Sequence, residues 1–327
     1  MTDKNGRYTK GIIDIGTNSC RLFIAEVMKT EKGIDILNEL IKEVEIVKLG
    51  EGVNENHFLK EEAIERTVEC LKKYKETADK YNVKELKAFA TSATRDAENR
   101  EKFMKKVRDL GIEIKCISGE EEAKLNFLGN SLVFNDRILV IDIGGGSTEF
   151  TLGKNNEIDF IKSIDIGAVR ATEKFFSQDD YSQENIEKCK EWVRKNIEEI
   201  KKIKNEEFKA VGVAGTATTQ ISVKKEMKIY DSQQVHMSEI SVKELEENLE
   251  LFISKSIEER KEIIGLEPKR ADVIIAGTII LITILKELNK EKIIVSESDN
   301  LTGAMIKEEK MSERLEWILE AYESFKR

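Results

Sequence analysis

The stretch "ILVIDIGGGSTEF", residues 138–150, says most about the fold. Apolar residues lead into Asp142, and three consecutive glycines, two hydroxyl residues and Glu149 follow. Consecutive glycines are destabilising, because glycine loses more backbone freedom on folding than any other residue. We therefore expect a strand followed by a turn whose backbone approaches another group closely.

A second stretch, "DIGTNS" from Asp14, shares Asp-Ile-Gly, two variable residues and serine with "DIGGGS" from Asp142. Each lies between apolar, β-branched segments that predict strands. The two copies are about one domain length apart. The sequence therefore predicts two related halves, each opening with a β-hairpin whose turn carries glycine.

Composition limits the class of protein. The 327 residues are 40% hydrophobic and 36% charged, enough for two ordinary domains with a solvated surface. A net charge of −9 argues against a nucleic-acid partner. The amino terminus has no apolar core, and the run "VIIAGTIILITIL" is too short and polar for a membrane span. The cysteines form no CxxC pair, which fits a reducing, cytoplasmic location.

Periodicity predicts the other elements. An amphipathic helix is expected from Lys60 to Tyr81 and a helix of mixed charge from Asn185 to Lys204. Strands are expected near Lys209 and Ile274. No low-complexity linker separates the halves, so we expect directly joined domains with a cleft between them.

The paired turns suggest a ligand. Backbone amides in glycine turns can converge on an anion, and adjacent aspartates at Asp14 and Asp142 suit Mg²⁺. The alternative is two ordinary hairpins with tight turns. Because the turns form a matched pair, each preceded by aspartate and followed by a hydroxyl, we favour phosphate binding.

Five motifs carry a family resemblance: "DIGTNSCR", "ATSATR", "ISGEEEA", "DIGGGSTEF" and "VGVAGTATT". In this order, across about residues 11–303, the chain resembles the exopolyphosphatase and guanosine-pentaphosphate phosphatase family. That family belongs to the acetate and sugar kinase, Hsp70 and actin superfamily. The glycine turns alone indicate the superfamily, whereas "ISGEEEA" with "ATSATR" narrows the resemblance to the family.

The resemblance implies an α/β fold of two duplicated ribonuclease H-like (actin-like ATPase) domains, whose mixed five-stranded sheets flank an interdomain cleft. We expect the first domain at residues 1–130 and the second at 131–309. A closing helix at about 310–327 would pack back on the first domain.

The resemblance also implies the catalytic and metal-binding residues. Glu121 in "ISGEEEA" takes the position of the general base, with its neighbours Glu120 and Glu122 as alternatives. The expected ligands of Mg²⁺ are acidic residues of the glycine turns: Asp142, Glu149 and Asp14. A monovalent cation such as K⁺ is compatible with this site. For Glu149 the alternative is an outward-facing strand residue.

Amides and hydroxyls of the turns are expected to contact phosphate: Asn18, Ser19, Gly144, Gly145, Gly146 and Ser147. Arg21 and Arg95 are expected phosphate anchors, because guanidinium offers phosphate a fork of donors. For Arg21 the alternative is a structural ion pair.

Three residues of the second half resemble further ligand-binding positions. Gly215 and Thr216 fall at the superfamily's second-domain turn, which contacts phosphate or ribose. Arg270 resembles a family position, and its alternative role is a structural arginine that holds Asp272 or a helix end.

One motif departs from the family. The family usually has Ser-x-x-Gly-Leu-Arg-Glu-Gly near the end of the second domain, whereas this chain has "SESDNLTGAMI". Asn300 and Thr302 stand near the expected glycine and arginine, and sliding Gly303 into the glycine position still yields no arginine.

The resulting expectation is a Mg²⁺-dependent phosphohydrolase that removes terminal phosphate from inorganic polyphosphate, or converts guanosine pentaphosphate to tetraphosphate. The lysine-rich segment 188–204 would line a polyphosphate groove or form a solvated helix face. The alternatives are a small-molecule kinase of the same superfamily and a non-catalytic nucleotide or alarmone sensor. A homodimer is compatible with any of these functions.

Overall fold

The computed structural model describes residues 6–30, 33–176 and 179–307. Its strands are β1 (Arg7–Ile15), β2 (Ser19–Thr30), β3 (Gly33–Ile46), β4 (Glu85–Ala90), β5 (Glu113–Cys116), β6 (Ile138–Ile143), β7 (Thr148–Lys154), β8 (Glu157–Ile164), β9 (Lys209–Val213), β10 (Ser238–Ser241) and β11 (Lys292–Val295).

The helices are α1 (Val53–Asn56), α2 (Glu61–Lys80), α3 (Ser92–Asp96), α4 (Arg100–Arg108), α5 (Gly119–Ser131), α6 (Ala168–Phe175), α7 (Gln183–Asn196), α8 (Ala214–Lys224), α9 (Ser232–Val235), α10 (Val242–Ile253), α11 (Ile257–Arg260), α12 (Ile274–Glu287) and α13 (Asn300–Ile306). Short 3₁₀ helices lie at Ile200–Ile203 and Pro268–Arg270.

The strands form two mixed sheets with a repeated topology. The first has the order β3-β2-β1-β4-β5, and the second has the order β10-β11-β9-β6-β7-β8. In both, three antiparallel strands (β1–β3 and β6–β8) continue into parallel neighbours of the first strand. The repeat confirms the predicted duplication. The expectation of five strands is wrong for the second sheet, because the edge strand β10 adds antiparallel to β11.

Three predictions concern single elements: one helix and two strands. The helix expected from Lys60 to Tyr81 is α2, and the strand expected near Lys209 is β9. The strand expected near Ile274 is wrong, since this segment is α12, which is buried from Ile274 to Leu285. A continuous apolar run does not distinguish a buried strand from a buried helix.

Helices α5 and α13 cross closely. A Cβ atom on Gly303 would lie 1.9 Å from the backbone oxygen of Leu125, so the crossing requires a residue without a side chain. Helix α5 belongs to the predicted first half, and it also packs against β7 and β8 of the second sheet. The domain boundary predicted at residue 130 stays a prediction, and the closing helix predicted at about 310–327 lies outside the described residues. In the described residues, no helix is long and apolar enough to span a bilayer.

Candidate active site

The two glycine turns have matching backbone hydrogen bonds. Gly16 N donates to Ser19 O over 2.9 Å, and Gly144 N donates to Ser147 O over 3.0 Å. In the described residues, four turn amides have no acceptor in the protein, namely those of Thr17, Asn18, Gly145 and Gly146. Unpaired amides in adjacent turns can bind an anion.

The turns also contact each other. A Cβ atom on Gly145 would lie 2.8 Å from Thr17 Cβ, and one on Gly146 would lie 2.4 Å from Ser92 Oγ. Ser92 belongs to the "ATSATR" segment, which forms α3. The glycines therefore leave room for side chains of the first half, while their amides stay available to a ligand.

Three buried carboxylates lie beside the second turn. Oxygens of Glu122, Asp142 and Glu149 all lie within 4.8 Å of one another. Asp142 and Glu149 are directly paired between β6 and β7, and Glu122 comes from the first turn of α5. Glu149 faces this cluster rather than solvent, with 2% of its surface exposed.

Burial changes the acidity of the cluster. It raises the pKa of Asp142 to about 6 and that of Glu149 to about 8. Burial and the neighbouring carboxylates also raise the pKa of Glu122 well above its ordinary value. Three such groups cannot all be ionised at neutral pH without a compensating positive charge.

The donor set fits a hard cation. In the described residues, Glu122 Oε2, Asn126 Oδ1 and Asp14 Oδ1 are buried and have no hydrogen-bond partner. All are oxygen acceptors, the ligand type that Mg²⁺ prefers. Asp142 and Glu149 would hold such an ion, and Glu122 lies within 4.8 Å of both.

The structure does not place Glu121 in this cluster. Ser118 N donates to Glu121 Oε2 over 3.2 Å, Glu121 N donates to Ser118 Oγ over 3.1 Å, and Lys115 Nζ lies 2.8 Å from Glu121 Oε1. These contacts form a capping box at the start of α5. Of the two neighbours left open, Glu122 is the one that reaches the cluster.

Arg21 forms the structural ion pair that was its alternative role. Its Nε donates to Asp14 Oδ2 over 3.0 Å, Nη1 donates to Asp299, and Nη2 donates to Asn300 Oδ1 over 2.7 Å. Asp14 is thereby paired with Arg21 rather than grouped with the three clustered carboxylates. Burial still raises the pKa of Asp14, partly offset by Arg21.

The other predicted residues of the turns and of α3 surround the cluster. Arg95 Nη1 donates to Ile117 O over 3.3 Å, and its charge lowers the pKa of Glu122 and Glu149. Ser147 is buried, and its side chain also lowers the pKa of Glu149 by hydrogen bonding. Arg95 is thus near enough to influence a ligand in the cluster.

The three predicted ligand-binding residues of the second half differ in whether their polar groups are free to bind a ligand. The hydroxyl of Thr216 donates to Ile143 O over 2.9 Å, so its proton is already engaged. A Cβ atom on Gly215 would lie 1.6 Å from Arg270 Nη1. In the described residues the Arg270 guanidinium has no hydrogen bond or ion pair, and Asp272 pairs with Lys48 instead. Arg270 therefore has free donors.

Arg270 and Arg21 line a cavity of about 970 Å³. Strand β3 of the first sheet contributes Lys42 and Val44 to it, and the second half contributes Tyr230. Residues 188–204 do not line this cavity. Their lysines form surface ion pairs such as Lys188–Glu184, which agrees with the solvated-face alternative.

Sequence reasoning missed three polar residues of the site. Asn126 donates to Asp142 Oδ2 over 2.8 Å, and Ser163 donates to Glu149 Oε1 over 2.7 Å. Ser92 fills the space above Gly146. The spacing of Asn126 four residues after Glu122 would have placed both on one helix face. No local pattern indicates Ser163, which reaches Glu149 through strand register.

The chain is similar to known phosphatases over most of its length. A model of the Ppx/GppA phosphatase family matches residues 25–309. The bifunctional 3-dehydroquinate synthase/phosphatase of Fusobacterium nucleatum is 54% identical over 309 residues, which cover 91% of this chain and 46% of that protein. This chain thus spans about half the length of that relative.

Two further similarities extend over nearly whole chains. Exopolyphosphatase 2 of Mycobacterium tuberculosis is 34% identical over 307 residues, which cover 89% of this chain and 95% of that protein. A Ppx/GppA family member from Aquifex aeolicus superposes with a TM-score of 0.75 and 32% identity, covering 95% of this chain and 98% of that one. The chain belongs to the Ppx/GppA phosphatase family and has its two-domain, actin-like fold.

Proposed function

We propose that this chain is a Mg²⁺-dependent phosphohydrolase that releases terminal phosphate from inorganic polyphosphate or guanosine pentaphosphate. The observation that carries the proposal is the buried group of Glu122, Asp142 and Glu149 beside turns with unpaired amides. Such a site can bind phosphate and a cation together.

Each group has a role in hydrolysis. The amides of Gly145 and Gly146 bind phosphoryl oxygens, and the free guanidinium of Arg270 binds phosphate farther along the cavity. Asp142 and Glu149 hold Mg²⁺, which supplies charge neutralisation for the phosphoryl group.

Glu122 is the proposed general base. In the described residues its buried Oε2 atom has no hydrogen-bond partner, so this oxygen is free to accept a proton from a water molecule in the site. Glu121, the first choice from sequence, is engaged in the helix cap and with Lys115. The adjacent glutamates therefore form a matched pair of test positions.

The test measures phosphate release from long-chain polyphosphate, guanosine pentaphosphate and ATP in the presence of Mg²⁺. We expect release from at least one of the first two, reduced about 10²- to 10⁴-fold by Glu122→Gln because the base is lost. Glu121→Gln is the control and should retain most activity. A large loss of activity in Glu121→Gln with little loss in Glu122→Gln would identify Glu121 as the base. ATP consumption only with an added acceptor would favour the kinase.

A further inference from the structure

We infer that Asn126 is a positioning residue that fixes the Asp142 carboxylate for the cation. The inference rests on the proposed Mg²⁺ site. Asn126 lies one helical turn after Glu122 on α5 and is 1% exposed. Its Nδ2 donates to Asp142 Oδ2 over 2.8 Å. The same helix face thus supplies an acidic side chain to the cluster and an amide to a second carboxylate.

This hydrogen bond selects one carboxylate oxygen. An aspartate can rotate about its last side-chain bond, which exchanges the positions of its two oxygens. Donation from Asn126 to Oδ2 opposes this exchange, and Oδ1 of Asp142 would remain available to a cation. Ligand-orienting hydrogen bonds of this kind strongly affect metal affinity.

Asn126 is itself held in place. Asn130, one turn farther along α5, donates through Nδ2 to the backbone oxygens of Asn126 over 2.9 Å and Ser298 over 2.6 Å. The crossing of α5 with α13 adds the close contact between Leu125 and Gly303. The backbone that carries Asn126 is therefore fixed against the end of the second half.

The competing role for Asn126 is direct coordination. In the described residues its buried Oδ1 atom has no hydrogen-bond partner, so an amide oxygen is available beside the cluster. Two substitutions separate the roles. Asn126→Leu removes donor and oxygen together, and Asp142→Asn, combined with it in a double-mutant cycle, removes the carboxylate through which a positioning residue would act.

The experiment measures Mg²⁺ affinity of the purified full chain by titration calorimetry without substrate, with folding checked by circular dichroism. We expect Asn126→Leu to weaken Mg²⁺ binding about 10- to 100-fold in the unaltered chain, and to have a much smaller effect in the Asp142→Asn background. Asn248→Leu is the matched control, because it removes a buried amide of α10 that donates to Gln220 rather than to Asp142. It should unfold more readily yet bind Mg²⁺ with unchanged affinity.

Other outcomes would overturn the inference. Unchanged affinity in Asn126→Leu would remove any role in metal binding. An equally large loss of affinity from Asn126→Leu in the Asp142→Asn background would make Asn126 a direct oxygen ligand. Equal weakening in Asn248→Leu would attribute the effect to a general loss of stability. If the unaltered chain binds no Mg²⁺, the proposed metal site fails with it, whereas normal binding with unchanged affinity in Asn126→Leu contradicts only the positioning role.

Discussion

At the scale of single residues, the buried carboxyl of Glu149 shows how position sets acidity. It lies beside Asp142, and Ser163 donates to it from β8 over 2.7 Å. Burial outweighs this donation and raises its pKa to about 8. The folded chain therefore holds this proton through a range in which an unfolded glutamate has lost it.

A pH dependence of stability follows. Since the folded state binds more protons than the unfolded state, the free energy of unfolding falls as pH rises from the ordinary glutamate value of 4.5 to about 8. One proton limits the slope to about 1.4 kcal/mol per pH unit. Urea unfolding of metal-free protein should show this fall between pH 6 and pH 8, which lies above the folded-state pKa of Asp142 and extends to that of Glu149.

Glu149→Gln should make that pH dependence shallower, because one of the buried carboxyl groups with a raised pKa is gone. Added Mg²⁺ should stabilise the unaltered chain more at the upper end of the range, where the carboxylates are ionised. A free energy of unfolding that rises with pH relative to the variant would contradict the expected burial effect.

At the scale of elements, α5 organises the site. Its capping box occupies Glu121, its buried face presents Glu122 and Asn126, and its far end contacts α13. The unusual "SESDNLTGAMI" segment belongs to that contact, since Gly303 lets the helix backbones approach. Where the family motif has an arginine, this chain has the start of helix α13. Asn300, the first residue of this helix, accepts a hydrogen bond from Arg21.

We predict that Gly303→Ala destabilises the chain by about 1–3 kcal/mol or more, because its methyl group would overlap Leu125 O. Denaturant unfolding measures the change. Ala304→Ser, a partly exposed neighbour in the same helix, is the control and should stay within about 0.5 kcal/mol. Equal stability in the two variants would show that α5 and α13 do not cross this closely.

At the scale of the whole molecule, contacts join the two halves around the site. Arg21 of the first sheet pairs with Asp299 after the second sheet, and Arg170 pairs with Asp96. Asn54 and Gly52 N donate to Glu173. The Arg21 contacts are largely buried, so their loss would leave acidic groups without a partner.

Arg21→Met should therefore lower the free energy of unfolding by about 3–5 kcal/mol, because Asp14 and Asp299 would remain buried and unpaired. Arg66→Met is the control, since Arg66 pairs with Glu51 on the exposed surface and should contribute less than about 1 kcal/mol. Unchanged stability with weaker substrate binding would instead support a phosphate-anchor role for Arg21.

The sequence by itself determined the duplicated hairpins, α2 and the family, because these depend on local periodicity and on motifs with fixed spacing. It placed Asp142 and Glu149 together, since a short turn brings their strands into register. The spacing of Ser118 and Glu121 also matches a capping box, in which the Glu121 side chain accepts from the backbone amide of Ser118.

Only the tertiary structure decided which glutamate enters the cluster, which arginine is free and where Asn126 and Ser163 point. Arg21 and Arg270 carry the same charge and both line the cavity, yet Arg21 pairs with Asp14 and Asp299, whereas in the described residues Arg270 has no ion pair. Such partners are distant in sequence, and the apolar run of α12 is compatible with either a buried strand or a buried helix. Burial and long-range pairing are decided only when the whole chain packs together.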